Sequence, residues 1–426
     1  MSKLEAKELV PELRFPEFIV SEGWRRTTFG AEATFINGKA YKQDELLDKG
    51  KYRVLRVGNF FTNKEWYYSD LELSNDKYCD NGDLLYAWSA SFGPRIWTGE
   101  KVIYHYHIWK VIEKEQVSKS FLYVLLEFET EKMKAQSANG LGLLHITKGA
   151  IEGWACAFPK LKEQQKIADC LSSMDDLITA NTKKLESLKS HKKGLMQKLF
   201  PVEGKSVPEL RFPEFKNKPN WNRFKLIDVA DKNVKWSFIG GPFGSNLKSS
   251  DYRKEGIRII QLQNIGDGQF NEDYKIFTSK EKADELLANN IYPGDIIISK
   301  MGDPVGRACF IPATHSRYVM CSDGIRFVVD ENRHNKYFLY SLINDSTFRS
   351  TVESSATGST RKRIGLAELK NLPMLLPIKE EQKKIADFLS SMDDLIEAQS
   401  EKIETLKVHK KGLMQRLFPA VEGLAS

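Results

Sequence analysis

The sequence predicts two α+β domains joined by two long, antiparallel coiled-coil helices, arranged as a pseudo-twofold internal repeat. The first observation is duplication, because residues 10–18 (VPELRFPEF) recur unchanged as residues 207–215. The second is a pair of nearly identical later segments with apolar residues at heptad spacing, which is typical of coiled-coil helices. The third is the pattern between these segments, where short β-rich runs alternate with turn residues and a few helical stretches.

Size and composition limit what such a chain can be. A chain of 426 residues is too long for one ordinary core, so more than one domain is expected. The net charge of +7 is compatible with a nucleic-acid partner but does not establish one. No apolar run approaches the ~20 residues that span a bilayer, and the N-terminus does not resemble a signal peptide. The 5 cysteines are widely spaced without a CxxC pair, which argues against a disulfide scaffold or zinc site and favours a cytoplasmic location.

The duplicated segments divide the chain into four parts. EQQKIADCLSSMDDLI from Glu163 returns as EQKKIADFLSSMDDLI from Glu381, and HKKGLMQKLFP from His191 returns as HKKGLMQRLFP from His409. Between these markers the two halves diverge, which indicates two related domains with different surfaces. The predicted parts are a first domain at residues 1–160, a central repeated helix at 161–204, a second domain at 205–378 and a C-terminal repeated helix at 379–426.

Local patterns predict the elements inside the domains. Residues 83–90 (DLLYAWSA) and 295–302 (DIIISKMG) are β-rich runs that follow a glycine turn, and both predict strands. Residues 121–136 and 336–354 are typical of helices. A glycine-centred loop follows each helical stretch, with Gly140 matched to Gly358, so the elements come in the same order in both halves.

In each repeated helix, apolar residues recur at spacings of three, four or seven and define a heptad seam. Because the two seams are alike, we expect the helices to pack on each other in antiparallel fashion. The alternative is that each helix packs only on its own domain. The seam consists of Leu171, Met174, Ile178, Leu185 and Leu188 in the first helix and Leu389, Met392, Ile396, Ile403 and Leu406 in the second.

Motifs for catalysis are missing from the sequence. Methyl transfer to a base would need a cofactor loop and an Asn/Asp-Pro-Pro-aromatic element, but no Pro-Pro occurs in the chain. A GxxxxGK[ST] phosphate loop is also missing. Asp295 and Lys300 could suggest a nuclease carboxylate and lysine. However, the matching Gly82-Asp83 has no such lysine, which favours a turn preceding a strand. We therefore expect no catalytic residue and no metal site in this chain.

Two further features leave alternatives open. The run GGPFGSNLKS at residues 240–249 is either a Gly/Pro turn or a loop whose backbone approaches a phosphate closely. His105 and His107 alternate on a predicted strand and are expected to point the same way. Because no carboxylate or cysteine cluster accompanies them, packing or a DNA-facing role is favoured over metal binding.

Side chains of the kinds that contact nucleic acid remain in both domains. Base edges are recognised by Arg, Lys, Asn, Gln and Ser, while phosphates are bound by Lys, Arg and backbone amides. For each residue alone, a solvated surface group is the competing interpretation. The DNA-binding candidates are Lys39, Tyr41, Arg53, Arg56, Asn59, Trp88, Ser91, Arg95, His145 and Lys148 in the first domain, and Ser245, Asn246, Lys248, Gln261, Gln263, Asn264, Lys300, Arg307, Ser359, Thr360, Arg361 and Lys362 in the second.

These features together resemble the specificity subunit of type I restriction–modification systems. The resemblance covers essentially the whole chain. It is carried by the two PELRFPEF…W openings, by the GPFGSNLKSSDY, PGDIIISKMGDPVGRACF and ESSATGSTRKRIG runs, and by the repeated helices. It implies two target recognition domains that each recognise one half of a bipartite site, and helices that act as a spacer and as a docking surface. The first domain departs from this pattern, because it carries FINGKAYK near the place of GPFGS.

The resemblance also implies partners and cofactors. The expected partners are double-stranded DNA, two modification (methyltransferase) subunits and restriction (endonuclease/translocase) subunits. S-adenosylmethionine, ATP and Mg would be bound by those subunits and not by this chain. The first alternative is the recognition subunit of a related methylating nuclease that cuts on both sides of its site. The second is a protein-only coiled-coil scaffold.

Overall fold

The computed structural model describes residues 9–61, 63–89, 92–137, 145–358 and 361–421. The chain forms two compact units. Unit 1 consists of Met1–Thr182 and Glu401–Ser426, and unit 2 consists of Lys183–Ser400. Each unit therefore contains one α+β domain and a part of each long helix. None of the helices in the described ranges combines the length and the apolar character that crossing a lipid bilayer requires.

The domain of unit 1 is built from two four-stranded sheets and a two-stranded ribbon. One sheet has the order β2-β9-β6-β7 and is antiparallel, while the other has the order β4-β3-β8-β5 with β3 and β8 parallel. The ribbon pairs β1 with β10. The strands are β1 Arg25–Thr28, β2 Ala33–Asn37, β3 Tyr52–Leu55, β4 Tyr67–Ser69, β5 Tyr78–Cys79, β6 Leu84–Ala87, β7 Gly93–Ile96, β8 Val102–Tyr104, β9 Ile108–Glu113 and β10 Ala155–Phe158; the helices are α1 Phe29–Glu32, α2 Val57–Phe61, α3 Lys119–Ser137, α4 Lys148–Glu152 and the long α5 Leu161–Leu199.

The domain of unit 2 repeats this topology with one added strand. Its sheets have the orders β12-β20-β17-β18 and β13-β15-β14-β19-β16, with β14 and β19 parallel, and its ribbon pairs β11 with β21. The strands are β11 Asn222–Lys225, β12 Phe238–Gly240, β13 Tyr252–Arg253, β14 Ile257–Ile260, β15 Ile276–Thr278, β16 Asn290–Ile291, β17 Ile296–Ser299, β18 Ala308–Phe310, β19 Tyr318–Met320, β20 Gly324–Phe327 and β21 Pro373–Leu376; the helices are α6 Lys280–Glu285, α7 Lys336–Ile343, α8 Ser346–Ser355, α9 Leu366–Asn371 and the long α10 Lys379–Leu417.

The predicted strands at residues 83–90 and 295–302 form the centres of their sheets. All residues of β6 and of β17 are buried, as expected for strands covered on both faces. The helix predicted at residues 121–136 lies within α3, whereas residues 336–354 form two helices instead of one. The break occurs at Asp345, whose side chain accepts a hydrogen bond from the Thr347 amide and so caps the start of α8.

Both long helices contribute to the core of each unit. In unit 1, the beginning of α5 (Ile167, Ala168, Leu171) and the end of α10 (Met414, Leu417) lie in the same apolar cluster as Trp24 and Phe121. In unit 2, the end of α5 and the beginning of α10 join the cluster around Trp221 and Phe338. Each domain core is thus closed by one end of each repeated helix, which explains why the helices share one apolar pattern.

Two lysines place the helices antiparallel. In unit 1, Lys410 Nζ donates to Asp175 and to Glu127, both over 2.8 Å. In unit 2, Lys192 Nζ donates to Asp393 over 2.5 Å. Within unit 1, Asp175 follows Leu171 on α5 while its partner Lys410 precedes Met414 on α10, and Leu171 and Met414 share one cluster. Within unit 2, Lys192 precedes Leu199 while its partner Asp393 follows Leu389, and Leu199 and Leu389 share one cluster. The helix segments of each unit are therefore antiparallel, as predicted. The polar interruptions of the seam at Lys192 and Lys410 are ion pairs.

The predicted seam residues lie on the covered side of both helices. Their burial is uneven, and the two that are completely buried, Leu171 and Leu389, lie in the domain cores. Leu171, Leu389, Met392 and Ile403 are buried, whereas Met174, Ile178, Leu185, Leu188, Ile396 and Leu406 are half-buried.

Candidate nucleic-acid interface

In the domain of unit 2, four loops meet at the end of β17 and are joined by backbone hydrogen bonds. The Lys300 amide donates to the Asp323 carbonyl over 2.7 Å, and the Lys300 carbonyl accepts from the Ile364 amide over 3.0 Å. The Gly241 amide donates to the Gly324 carbonyl over 2.8 Å. Loops that are far apart in the sequence are therefore held side by side at one edge of the domain, which makes this edge the candidate interface.

The domain of unit 1 contains the same backbone arrangement. The Trp88 amide donates to the His107 carbonyl over 3.1 Å, and the Trp88 carbonyl accepts from the Ile146 amide over 3.0 Å. The Gly38 amide donates to the Ile108 carbonyl over 3.1 Å. The hydrogen bonds therefore match these positions across the two domains: Trp88 with Lys300, His107 with Asp323, Ile146 with Ile364, and Gly38 with Gly241.

The two divergent loops start from the same close approach of two backbones. A Cβ atom at Gly38 would lie 2.2 Å from the Tyr104 carbonyl oxygen, and one at Gly241 would lie 1.6 Å from that of Cys321. Neither position can accept a side chain, so glycine is required at both. FINGKAYK and GGPFGSNLKS thus occupy corresponding places. Only the second loop presents a large exposed aromatic, Phe243, which is 83% exposed.

The side chains at the end of β17 are charged. Arg363 Nη2 lies 3.4 Å from Asp323 Oδ1, and these side chains are 48% and 23% exposed. Lys300 is half-buried beside them, and burial followed by the charge of Arg363 lowers the pKa of its ammonium group. The second domain therefore presents two cationic side chains, which donate hydrogen bonds, next to one carboxylate, which accepts them.

Aromatic rings occupy the corresponding place in the first domain. The ring centroids of Trp88 and His107 are 4.8 Å apart, those of Tyr106 and His107 are 3.9 Å apart, and those of His105 and His107 are 4.8 Å apart. The indole nitrogen of Trp88 donates to the Tyr106 carbonyl over 2.7 Å. The expectation that both histidines lie on a strand is wrong, because His105 forms an isolated bridge with Lys39 and His107 lies in the tight turn between β8 and β9.

Burial keeps these imidazoles neutral. It lowers the pKa of His105 to about 4, with further contributions from His107 and Arg56. Burial also lowers the pKa of His107. A neutral imidazole offers one donor and one acceptor and no net charge. The first domain therefore presents polar and stacking groups where the second presents ions.

The two Gly-Asp pairs have a structural role. Asp83 Oδ2 accepts from Lys110 Nζ over 2.6 Å, and Asp295 Oδ2 accepts from Arg326 Nε over 2.7 Å. Each carboxylate also accepts a backbone amide three residues before it and so closes the turn that precedes the strand. This arrangement confirms the interpretation as a turn before a strand. In the part of the chain that the structure describes, no group of three or more His, Cys, Asp or Glu residues could hold a metal ion.

Two candidate amides are used inside their domains. Asn264 is fully buried; its side chain accepts from the Gln261 amide over 2.9 Å and donates to two carbonyls of the following loop. Asn59 makes the corresponding bonds, accepting from the Arg56 amide over 3.3 Å and donating to the carbonyls of Asn63 and Glu65. Contact of either side chain with a base would require these turns to open.

The other candidates near the start of the first domain are held by neighbours. Lys39 Nζ lies 2.9 Å from Glu45 Oε2. Arg53 and Arg56 lie over aromatic rings, at 5.6 and 4.1 Å from the ring centroids. Tyr41 stacks on the imidazole of His105, and burial raises the pKa of its hydroxyl. The guanidinium groups therefore lie on an aromatic surface, from which their N–H edges can still donate.

Three remaining first-domain candidates are exposed. Arg95 lies on β7, His145 forms a bridge with Ser89, and Lys148 lies 3.6 Å from Glu152 on α4. The bridge brings His145 next to Trp88. Ser91 and the loop glycine Gly140 lie outside the described residues.

In the second domain the candidates fall into two groups. Ser245, Asn246 and Lys248 are exposed on the loop that begins at Gly241, and Gln263 is exposed as well. Gln261 is held by a hydrogen bond from its side chain to the Tyr252 hydroxyl over 3.1 Å.

The last candidates lie beside the end of β17 or follow α8. Arg307 is half-buried close to Gly302, Arg361 is exposed, and Lys362 Nζ lies 3.6 Å from Glu353 Oε2. Ser359 and Thr360 lie outside the described residues.

Sequence reasoning did not select Asp323, Arg363 or Phe243. Asp323 and Arg363 are brought to Lys300 only by hydrogen bonds between distant segments. The sequence did contain a signal for Phe243. The segment 35–38 (FING) resembles the segment 238–241 (FIGG), and aligning the two would have shown that the loops that follow them correspond.

Comparisons with known proteins agree with this architecture. The family model for the type I restriction modification DNA specificity domain matches residues 22–190 and again residues 219–408. The specificity subunit of type I restriction enzyme MjaVIII from Methanocaldococcus jannaschii is 26% identical over 415 residues, which covers 94% of this chain and 93% of the relative. The specificity subunit of type I restriction enzyme EcoBI from Escherichia coli is 22% identical over 399 residues, covering 89% and 81%.

Solved structures share the fold. The type I restriction-modification S subunit from M. genitalium has a TM-score of 0.54 at 16% identity, covering 97% of this chain and 100% of that chain. A chain from a structural study of complex assembly and conformational transition in the type I R-M system has a TM-score of 0.58 at 17% identity, covering 93% and 98%. The family match, made twice and over most of the sequence, shows that this chain belongs to the type I restriction–modification DNA specificity family.

Proposed function

We propose that this chain recognises a bipartite DNA sequence, with one half-site bound by each domain, as the specificity subunit of a type I restriction–modification complex. The observation that carries the proposal is the contrast between the two repeats. Corresponding backbones meet at the candidate interface of each domain, yet one presents cations and a carboxylate and the other presents aromatic rings. Two different half-sites require such a difference, because base edges are recognised by side-chain chemistry.

The repeated helices support the second part of the proposal, which is docking of two identical modification subunits. A groove in unit 1 lies between α3 and the end of α10 and is lined by Lys407, Lys410, Lys411, Met414 and Gln415. A groove in unit 2 is lined by the corresponding residues of α5, Lys189, Lys192, Lys193, Met196 and Gln197. The helix side of both grooves is therefore identical, which suits two copies of one partner, whereas the domain side of each groove differs.

Charge reversal tests this docking. Lys193→Glu and Lys411→Glu each place a carboxylate on one groove, so each single variant is expected to bind one modification subunit and the double variant none. Lys184→Glu and Lys402→Glu are matched controls, because both lysines are exposed on the same helices and line neither groove. Native mass spectrometry of the assembled complex gives the stoichiometry. Two bound subunits in the folded double variant would exclude the grooves as the docking surface.

The same proposal assigns the chemical steps to the partner subunits. Methylation of adenine with S-adenosylmethionine, and cleavage with ATP and Mg, would belong to the modification and restriction subunits. Mapping of methylated adenines in DNA from cells that carry the complete system tests the function. A bipartite, asymmetric methylated sequence that depends on this chain is expected. Methylation by the purified chain alone would contradict it, and loss of the chain without effect on methylation would favour a protein-only scaffold.

A related methylating nuclease that cuts on both sides of its site would use the same recognition architecture. Cleavage products of the assembled system distinguish it from a type I complex. Paired cuts at fixed distances on both sides of the recognised sequence would favour this second candidate. Cuts remote from that sequence are expected for the first.

A further inference from the structure

At one place in each domain, three residues make the same backbone contacts in both domains but carry different side chains. We call Trp88, His107 and His145 the first triplet, and Lys300, Asp323 and Arg363 the second triplet. Trp88 and Lys300 make the same two backbone hydrogen bonds, and the bridge of Ser89 with His145 corresponds to that of Met301 with Arg363. The members of the triplets therefore correspond one to one.

The surroundings of both triplets are conserved between the domains. The residue after His145 and the residue after Arg363 are both buried isoleucines, Ile146 and Ile364. The strands that end just before Trp88 and Lys300 both follow a turn that is closed by an aspartate. Because the supporting backbone is the same in both domains, the fold alone does not require these side chains to differ, and a difference in what the two domains contact explains the replacement.

The second triplet has the chemistry of guanine recognition. Guanine presents two acceptors, N7 and O6, in the major groove, and Arg or Lys donates to both. The Arg363 guanidinium is 48% exposed, and Asp323 at 3.4 Å restricts its orientation while leaving N–H groups free to donate elsewhere. Asp323 itself could accept from the amino group of a cytosine.

A phosphate is a poorer partner for this position. Asp323 would bring a second negative charge close to the DNA backbone, and like charges repel. The first triplet gives an independent reason, since the uncharged indole of Trp88 lies at the position that corresponds to Lys300. A site for phosphate would be expected to keep a cation in both domains, because the backbone is the same in both half-sites.

We infer that the triplets are the positions at which the two domains contact base edges, with Lys300 and Arg363 contacting a guanine-containing step in one half-site. The first triplet then contacts the other half-site through indole and imidazole groups. This inference rests on the proposed function and assigns the residues that distinguish the two half-sites.

Selection from a random-sequence duplex library tests the inference with the chain assembled with its modification subunits. The variants are Lys300→Ala with Arg363→Ala, and Arg363→Lys alone, which keeps the charge but not the planar donor group. The control is Arg333→Ala, which removes an exposed arginine in the turn between β20 and α7 of the same domain. For each variant the selected consensus, the affinity and its salt dependence are measured.

The double variant is expected to lose sequence preference at one or two positions of a single half-site by about tenfold or more, with the other half-site unchanged. Arg363→Lys should lose preference at the same position while keeping its affinity for non-specific DNA. Arg333→Ala should select the wild-type consensus. If the double variant keeps both halves of the consensus, binds uniformly more weakly and shows a salt slope reduced by about 2, the two cations contact phosphates and the inference is overturned. A wild-type complex that selects no consensus would overturn the proposed function as well, so the two failures are distinguishable.

Discussion

The guanidinium of Arg14 donates to both carboxylate oxygens of Glu163, over 2.8 and 2.7 Å, and the two side chains are 6% and 3% exposed. The same guanidinium donates to the carbonyls of Ser21 and Glu22, each over 2.8 Å. The Trp24 indole adds a hydrogen bond to Glu163 over 3.3 Å. The N-terminal segment is thereby fixed to the beginning of α5.

The pair Arg211 and Glu381 repeats this arrangement in unit 2. Both hydrogen bonds between these side chains are 2.8 Å long, and Trp221 again donates to the carboxylate over 3.3 Å. In each unit the duplicated opening therefore contacts the duplicated helix beginning through a buried ion pair. This contact explains why both segments are nearly the same in the two repeats while the domains between them differ.

Removal of the buried guanidinium is expected to be costly. Arg14→Ala would leave Glu163 buried without its cation, and we expect the free energy of unfolding of unit 1 to fall by about 3 kcal/mol or more. Arg211→Ala should do the same for unit 2. Arg416→Ala is the matched control, since it breaks an exposed pair with Glu12 whose side chains are 52% and 70% exposed. Its effect should stay below about 1 kcal/mol. Equal, small losses of stability in urea unfolding would contradict the role of the buried pair.

His105 should make the first domain sensitive to mild acid. Its folded pKa of about 4 lies below its ordinary value of 6.5, so the unfolded chain takes up a proton first as the pH falls. The contribution of His105 to stability is therefore full above pH 6.5 and is progressively lost between pH 6.5 and 4. His105→Asn should flatten this part of the profile of unfolding temperature against pH. His191→Asn, on the exposed surface of α5, is the control, and an unchanged profile in the His105 variant would contradict the assignment.

Phe243 should contribute to DNA binding and not to folding. Its ring is 83% exposed, so Phe243→Ala removes almost nothing from the core. An exposed aromatic on a loop beside the interface can stack on or wedge between bases, and its loss should weaken specific binding by about fivefold or more. Leu287→Ala, which removes another partly exposed apolar side chain of this domain at 47% exposure, should leave the affinity unchanged. Binding isotherms of the assembled complex decide this, and equal affinities of the two variants would exclude a DNA contact by Phe243.

The repeat made much of the fold predictable. The spacing of apolar residues was sufficient to predict the long helices and the strands β6 and β17, because a heptad pattern and a buried apolar run can each be recognised within a short segment. The break at Asp345 escaped prediction, since a capping side chain competed with a continuous helical pattern. The composition of the interface also escaped it. Asp323 and Arg363 meet Lys300 through hydrogen bonds between segments that are distant in sequence, and local sequence patterns do not specify such contacts.

Exchange of one domain tests the central claim, namely that the two domains recognise their half-sites independently. Residues 26–158, which are bounded by the β1–β10 ribbon, are replaced by the corresponding residues of a relative with a different target. The methylated adenines are then mapped in cells that carry the modification subunits. One half of the recognised sequence should change to that of the relative while the other half stays the same. Methylation of a sequence that is altered in both halves, by a folded and active chimera, would contradict the claim.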